Sequence, residues 1–172
     1  MSADEELQEH AREAKEPFDK RVAATMAIIA ATLAVVSVSG QIMTTHELLH
    51  QAKASDRWAQ YQAKSIRRFS AEATKDILSS SKSDEALSGK YGKAIEHYKK
   101  DEEDIRKIAE GFEKESETAG QKALWLHFGE VFLEVAIVLS SLAILTKRNF
   151  MYWTAVLSGA VGVVLGCLAL LV

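Results

Sequence analysis

Apolar residues along this chain are gathered into three blocks, 22–43, 124–146 and 151–172, separated by strongly polar sequence. Each block has roughly the 20 residues that an α-helix needs to cross a hydrocarbon layer about 30 Å thick. Pro17 is the only proline, so no later residue removes a backbone donor from a helix. The pattern predicts an all-α integral membrane protein: three transmembrane helices, with a long extramembrane antiparallel helical hairpin over residues 44–123 between the first and the second. Residues 1–21 are acidic overall, lack a core-forming periodicity and read as a separate N-terminal segment.

Inside the polar stretch the apolar period persists. Tyr91, Ile95, Tyr98, Glu102, Ile105, Ala109, Phe112, Ser116, Ala119, Ala123 and Leu126 follow one another at steps of four and three, the signature of a coiled-coil stripe with polar interruptions at Glu102 and Ser116. Upstream, Leu48, Ala52, Ser55, Ala59, Gln62, Ile66, Phe69 and Ala73 repeat the spacing with smaller side chains. In the same register Gln41, Val38, Ala34, Ala31, Ala27 and Ala24 extend that seam back through the first block. The run from Ser79 to Asp84, with Gly89 and Gly92 after it, supplies turn residues, so the reversal is expected near 79–92. The two stripes are expected to face each other.

The run Lys53-Ala54-Ser55-Asp56-Arg57-Trp58-Ala59-Gln60-Tyr61-Gln62-Ala63-Lys64-Ser65-Ile66-Arg67 resembles a segment of a bacterial membrane-protein family catalogued as domain of unknown function 4337. The overall layout is similar too: an acidic N-terminus, one anchor, a helical middle and two closely spaced spans joined by a basic link. The resemblance covers most of the chain. It implies a bacterial source and an inner membrane, but no activity and no catalytic residue.

Charge sharpens the topology. The pairs Lys20–Arg21 and Lys147–Arg148 flank the blocks, and the positive-inside rule assigns both to the cytoplasm. The N-terminus is then cytoplasmic, and the hairpin and C-terminus periplasmic. Long loops such as 44–123 translocate largely regardless of their charge. Trp125 at one interface, and Tyr152 with Trp153 at the other, fit aromatic belts. The first block is read as a retained anchor, because acidic sequence precedes it and it is longer than the roughly 7–15 residues of a signal core. A net charge of −3, with acidic and basic side chains balanced across the hairpin, leaves no basic face for nucleic acid. The single cysteine, Cys167, excludes an intramolecular disulfide.

Three groups invite a chemical reading. His46-Glu47-Leu48-Leu49-His50 matches H-E-x-x-H, in which two histidines one turn apart hold zinc and the glutamate activates water. A hydrolase also requires a third ligand and an enclosed site. No globular pattern surrounds the motif, so a turn of helix with solvated imidazoles is the expectation and no metal or cofactor is assigned. His127, Glu130 and Glu134 lie within the second span at helical spacing, and ionisable groups at that depth are functional candidates. The stripe through Leu126, Leu133 and Ile137 passes through Glu130, and the spans are expected to pack around Glu130 and Glu134. Finally, Ser158, Gly159, Gly162 and Gly166 give the third span small-x-x-x-small spacing for close packing, within or between protomers.

The expected function is that of a non-enzymatic, homo-oligomeric membrane protein whose hairpin makes protein contacts. Its partners would be the lipid bilayer, further copies of itself and a periplasmic protein. An ion- or proton-conducting assembly using Glu130 and Glu134 is the alternative, and a membrane zinc hydrolase through His46, Glu47 and His50 the third reading.

Overall fold

The computed structural model describes residues 17–80, 85–169 and 171. Among these, every regular element is α-helical: α1 Pro17–Ser80, α2 Glu85–Thr146 and α3 Asn149–Leu168. Each is long and apolar enough to cross a membrane. Pro17 stands first in the described part of α1. Hydroxyls inside the apolar blocks bond back to their own helix: Thr32 to the Ile28 carbonyl at 2.9 Å, Ser39 to Val35 at 2.8 Å and Ser140 to Ala136 at 2.7 Å. Such back-bonding satisfies these three hydroxyl donors within their own helices.

The link between α2 and α3 is short because Lys147 takes the left-handed conformation, with φ 50°. That geometry is rare outside glycine and reverses the chain at once. Arg148 follows in extended conformation, and its carbonyl accepts from the Met151 N–H at 3.1 Å.

The chain divides into two compact units, Met1–Thr44 with Gly120–Val172, and Thr45–Ala119. In the first unit, α2 runs antiparallel to α1 and α3, and the contacts are made by small residues. Ala136, Ala143 and Ala155 are fully buried around Leu133, and Ile29, Val36 and Leu126 complete the core. At the α2–α3 crossing a methyl group added to Gly162 would lie 2.8 Å from the Gly129 carbonyl oxygen and 2.8 Å from Leu133 Cγ. Only glycine lets these two backbones meet.

The second unit is a two-helix antiparallel hairpin. Residues near its open end pair Glu47 with Ser116 and His50 with Glu115, and residues further along pair Lys64 with Asp101 and Arg68 with Glu102. The first arm ends at Ser80 and the second begins at Glu85. Gly89 and Gly92, expected to help the turn, lie inside α2.

One of the two stripes faces its neighbour and the other does not. On α2, Ile95, Glu102, Ala109 and Ala119 are buried, and Tyr91, Tyr98, Ile105, Phe112 and Ser116 are half-buried. On α1, Leu48, Ala52, Ser55, Ala59, Gln62, Ile66, Phe69 and Ala73 are exposed, so the expected upstream seam points outward. The side chains that meet α2 are instead Ala54, Trp58, Lys64, Arg68 and Ala71. Charged positions inside the true seam hid it, because an apolar pattern steps around them. In the first unit the continuation of the expected seam, Ala24, Ala27, Ala31, Ala34, Val38 and Gln41, is likewise exposed. The expected acidic segment over 1–21 lies, up to residue 16, outside the described residues.

Candidate functional site

Polar chemistry concentrates at two places, one in each unit. In the first unit it lies between α1 and α2. The His127 ring rests on Gly40, where an added Cβ would come within 3.2 Å of its Cε1. Its Nε2 is 3.2 Å from Thr44 Oγ1 and its Nδ1 is 3.1 Å from Glu130 Oε2. Glu130, His127 and Thr44 therefore form one connected chain across the helix pair. Each imidazole nitrogen and the carboxyl has a partner, as a polar group in apolar surroundings requires.

Glu134 does not join this chain. It is exposed, and among the described residues it makes neither an ion pair nor a hydrogen bond. Of the two carboxyls, Glu130 is half-buried between the helices and Glu134 is not, against the expectation that the helices pack around both. Four residues along a helix turn about 40° past a full revolution, and here that offset carries Glu134 from the packed face to the outer one.

The small residues of α3 pack within the chain. Ala155, Gly159, Gly162 and Gly166 are its buried residues, and a Cβ on Gly159 would meet Ile29 at 3.3 Å while one on Gly166 would meet Val36 at 3.4 Å. Ser158 donates to the Phe132 carbonyl of α2 at 2.8 Å. Beside this bundle lies an apolar groove of about 450 Å³, lined by residues such as Val35, Met43, Val163 and Cys167, with Lys122 at its edge.

In the second unit a charged network crosses the hairpin. Arg68 Nε donates to Glu102 Oε1 at 2.9 Å and its Nη1 to Glu72 Oε1 at 3.2 Å. Lys64 Nζ donates to Asp101 Oδ2 at 2.6 Å, and His97 Nε2 approaches that carboxylate at 3.6 Å. The Lys64 hydrogen bond, ahead of the positive charges of His97, Lys64 and Lys100, holds the Asp101 carboxyl below its usual range. Arg68 is pushed up, first by its hydrogen bond to Glu102. Glu102 is only 6 % exposed, so its carboxylate depends on that guanidinium. Sequence reasoning placed Glu102 as an interruption of the stripe and missed its partner. An arginine in register on the opposite arm was the signal.

The H-E-x-x-H residues sit on α1 near the open end of the hairpin. His46 and His50 stack with ring centroids 6.1 Å apart, His50 Nδ1 lies 2.6 Å from Glu115 Oε2, and the Glu47 carbonyl accepts from Ser116 Oγ at 3.0 Å. Among the described residues no group of three or more His, Cys, Asp or Glu is placed to hold a metal ion. Next to this turn, Trp58 Nε1 donates to Glu113 at 2.8 Å, at the rim of an open groove of about 540 Å³.

A family model described as "Domain of unknown function (DUF4337)" matches residues 18–172. No curated protein and no solved structure matches the chain.

Proposed function

The chain belongs to the family described as Domain of unknown function (DUF4337), and since that description carries no activity, we propose from the geometry a non-enzymatic membrane scaffold. In this reading the chain is a homo-oligomeric, multi-pass protein of a bacterial inner membrane. Its N-terminus is cytoplasmic, and its hairpin is a periplasmic surface for protein contacts. The carrying observation is the second unit. It is a two-helix hairpin closed by its own charged seam, yet it leaves Ile66, Phe69 and Ile77 exposed along one side of α1 at 66 %, 59 % and 69 %. Apolar side chains grouped this way on a charged helix pair mark a contact surface.

Two further features support the membrane reading. Thr32, Ser39 and Ser140 in the apolar blocks bond within their own helices, and Lys147 Nζ lies 4.0 Å from Asp19 Oδ2. That approach sets the basic pair at 147–148 beside the one at 20–21, as a common cytoplasmic face requires. Phe18 against Tyr152, with ring centroids 6.1 Å apart, adds an aromatic cluster at the same level.

With Cys167→Ser as background, Ser70→Cys should react with an impermeant maleimide applied from the periplasmic side. Reaction only after the inner membrane is opened would overturn the topology. A photo-cross-linking residue in place of Ile66 should give discrete protein adducts, and lipid adducts alone would remove the scaffold.

A conducting reading draws on the Glu130–His127–Thr44 chain. It requires pH-dependent flux in proteoliposomes that Glu130→Gln abolishes while the fold persists. A sealed bilayer around the unmodified protein eliminates it.

A further inference from the structure

The outer face of α2 in its apolar part carries a regular pattern. From Leu124, steps of three and four lead to His127, whose ring also reaches Thr44 of α1, and then to Val131, Glu134, Val138, Ser141 and Leu145, and every one of these residues is exposed. Apolar and polar layers alternate strictly along it: Leu, His, Val, Glu, Val, Ser, Leu. The spacing is that of a coiled-coil seam, with apolar residues at one heptad position and polar residues at the other.

Glu134 sits at the middle of this seam and has no partner among the described residues. On a helix that crosses a bilayer, that position is the midplane, where a carboxyl open to hydrocarbon is costly and ionisable groups are almost always turned towards protein or a cavity. Burial inside this chain does not solve the problem, because the packed face of α2 is already filled by Leu126, Leu133, Ala136 and Ala143.

From this we infer that the outward face of α2 is a self-association interface, in which a second copy of the chain lays the same seam alongside and the Glu134 side chains meet in a central polar layer. The inference rests on the membrane reading above and names the surface through which copies assemble. A second copy is the fitting occupant for two reasons. All copies inserted in one membrane share an orientation, so self-pairing is parallel. In a parallel, in-register pair each layer meets its own kind: Val131 and Val138 pack on their counterparts, Ser141 on Ser141 and Glu134 on Glu134. An unrelated helix would have to reproduce the same alternation of polar and apolar layers. Facing carboxyl groups hydrogen-bond through a shared proton, and such polar contacts between helices hold membrane assemblies together.

The test uses the full chain in liposomes of phosphatidylethanolamine and phosphatidylglycerol, with Cys167→Ser as background. Resistance to alkaline extraction first establishes insertion. Val138→Cys and Leu145→Cys, both on the seam, should form disulfide-linked dimers with a membrane-permeant oxidant, and Val164→Cys, exposed on α3, should not. Glu134→Leu should lower the cross-linked fraction at Leu145→Cys roughly threefold or more, whereas Glu134→Gln, which retains hydrogen bonding, should hold it near the parent value. Because Glu134 is exposed and makes no hydrogen bond or ion pair among the described residues, neither change removes a polar contact of the bundle itself. Inserted protein that cross-links equally at all three cysteines, or at none, would overturn the interface alone. Protein released by alkali would overturn the membrane reading and this inference with it.

Discussion

The two units hold their helices together by opposite means. In the first, Gly129 of α2 and Gly162 of α3 bring backbones into contact beside Leu133, and no charged side chain takes part in that crossing. In the second, the helices are held by long charged side chains, Lys64 to Asp101 and Arg68 to Glu102, with aromatic rings as spacers. Lys64 Nζ lies 5.6 Å from the Tyr98 ring centre, and Lys53 Nζ 5.5 Å from that of Phe112. Lipid supplies no hydrophobic drive between helices, so close van der Waals contact and small residues must suffice. In water, apolar burial combined with paired charges specifies register. The contrast supports the proposed membrane setting of the first unit and the proposed aqueous setting of the second.

The largest effect is expected where the comparison is most extreme. Gly162→Ala forces a methyl group onto the Gly129 carbonyl and Leu133, and should destabilise the first unit by about 2–3 kcal/mol, measured by unfolding in detergent. The hairpin should be untouched. A neutral result would show that the bundle is looser than its glycine contact implies.

Next comes the charged seam. Arg68→Met strands the buried Glu102 carboxylate and should lower the thermal midpoint of hairpin melting, followed by circular dichroism. Adding Glu102→Leu should restore most of that loss, because a well-packed apolar pair replaces a partly buried ion pair with little penalty. If the double variant is as unstable as the single one, the seam depends on the charges themselves.

Acid should act on the same region with a smaller effect. Asp101 is held below its usual range when folded, so its contribution is fully present above the unfolded value, near 4, and fades as the pH falls through the lowered folded value. Urea unfolding of the hairpin between pH 7 and pH 3 should show this loss, and Lys64→Met should flatten it. The smallest effect belongs to Gly111, where an added Cβ meets nothing within 4 Å. Gly111→Ala should stabilise the helix by about 0.5–1 kcal/mol, the reverse of Gly162→Ala.

How far these differences can be read from the sequence depends on what kind of residue marks the seam. The α2 stripe was legible because Ile95, Ile105, Ala109 and Phe112 lie on the packed face, with Glu102 as a tolerated exception. The α1 face was misassigned because Lys64, Arg68 and Glu72 occupy the true seam, while Ile66 and Phe69 form a second apolar stripe directed outward. Sequence periodicity reports that a stripe exists, and only the partner helix decides which stripe is buried. The same limit applied at Glu134: its spacing from Glu130 placed both carboxyls on one side of α2, and the width of the packed face then separated them. The small residues of α3 were legible as packing groups, but that they pack against α1 and α2 of the same chain required the fold.

The proposed placement of α1 as one helix in two solvents is tested most directly by spin labels at Val38 and Ile66. Both side chains are exposed to a similar degree, 56 % and 66 %, so burial by protein does not separate them. In liposomes, the label at residue 38 should be relaxed by oxygen, which concentrates in hydrocarbon, and shielded from a water-soluble nickel chelate. The label at residue 66 should show the opposite order. Strong chelate access at both sites would contradict the membrane reading, and strong oxygen access at both would contradict a hairpin that stands in water.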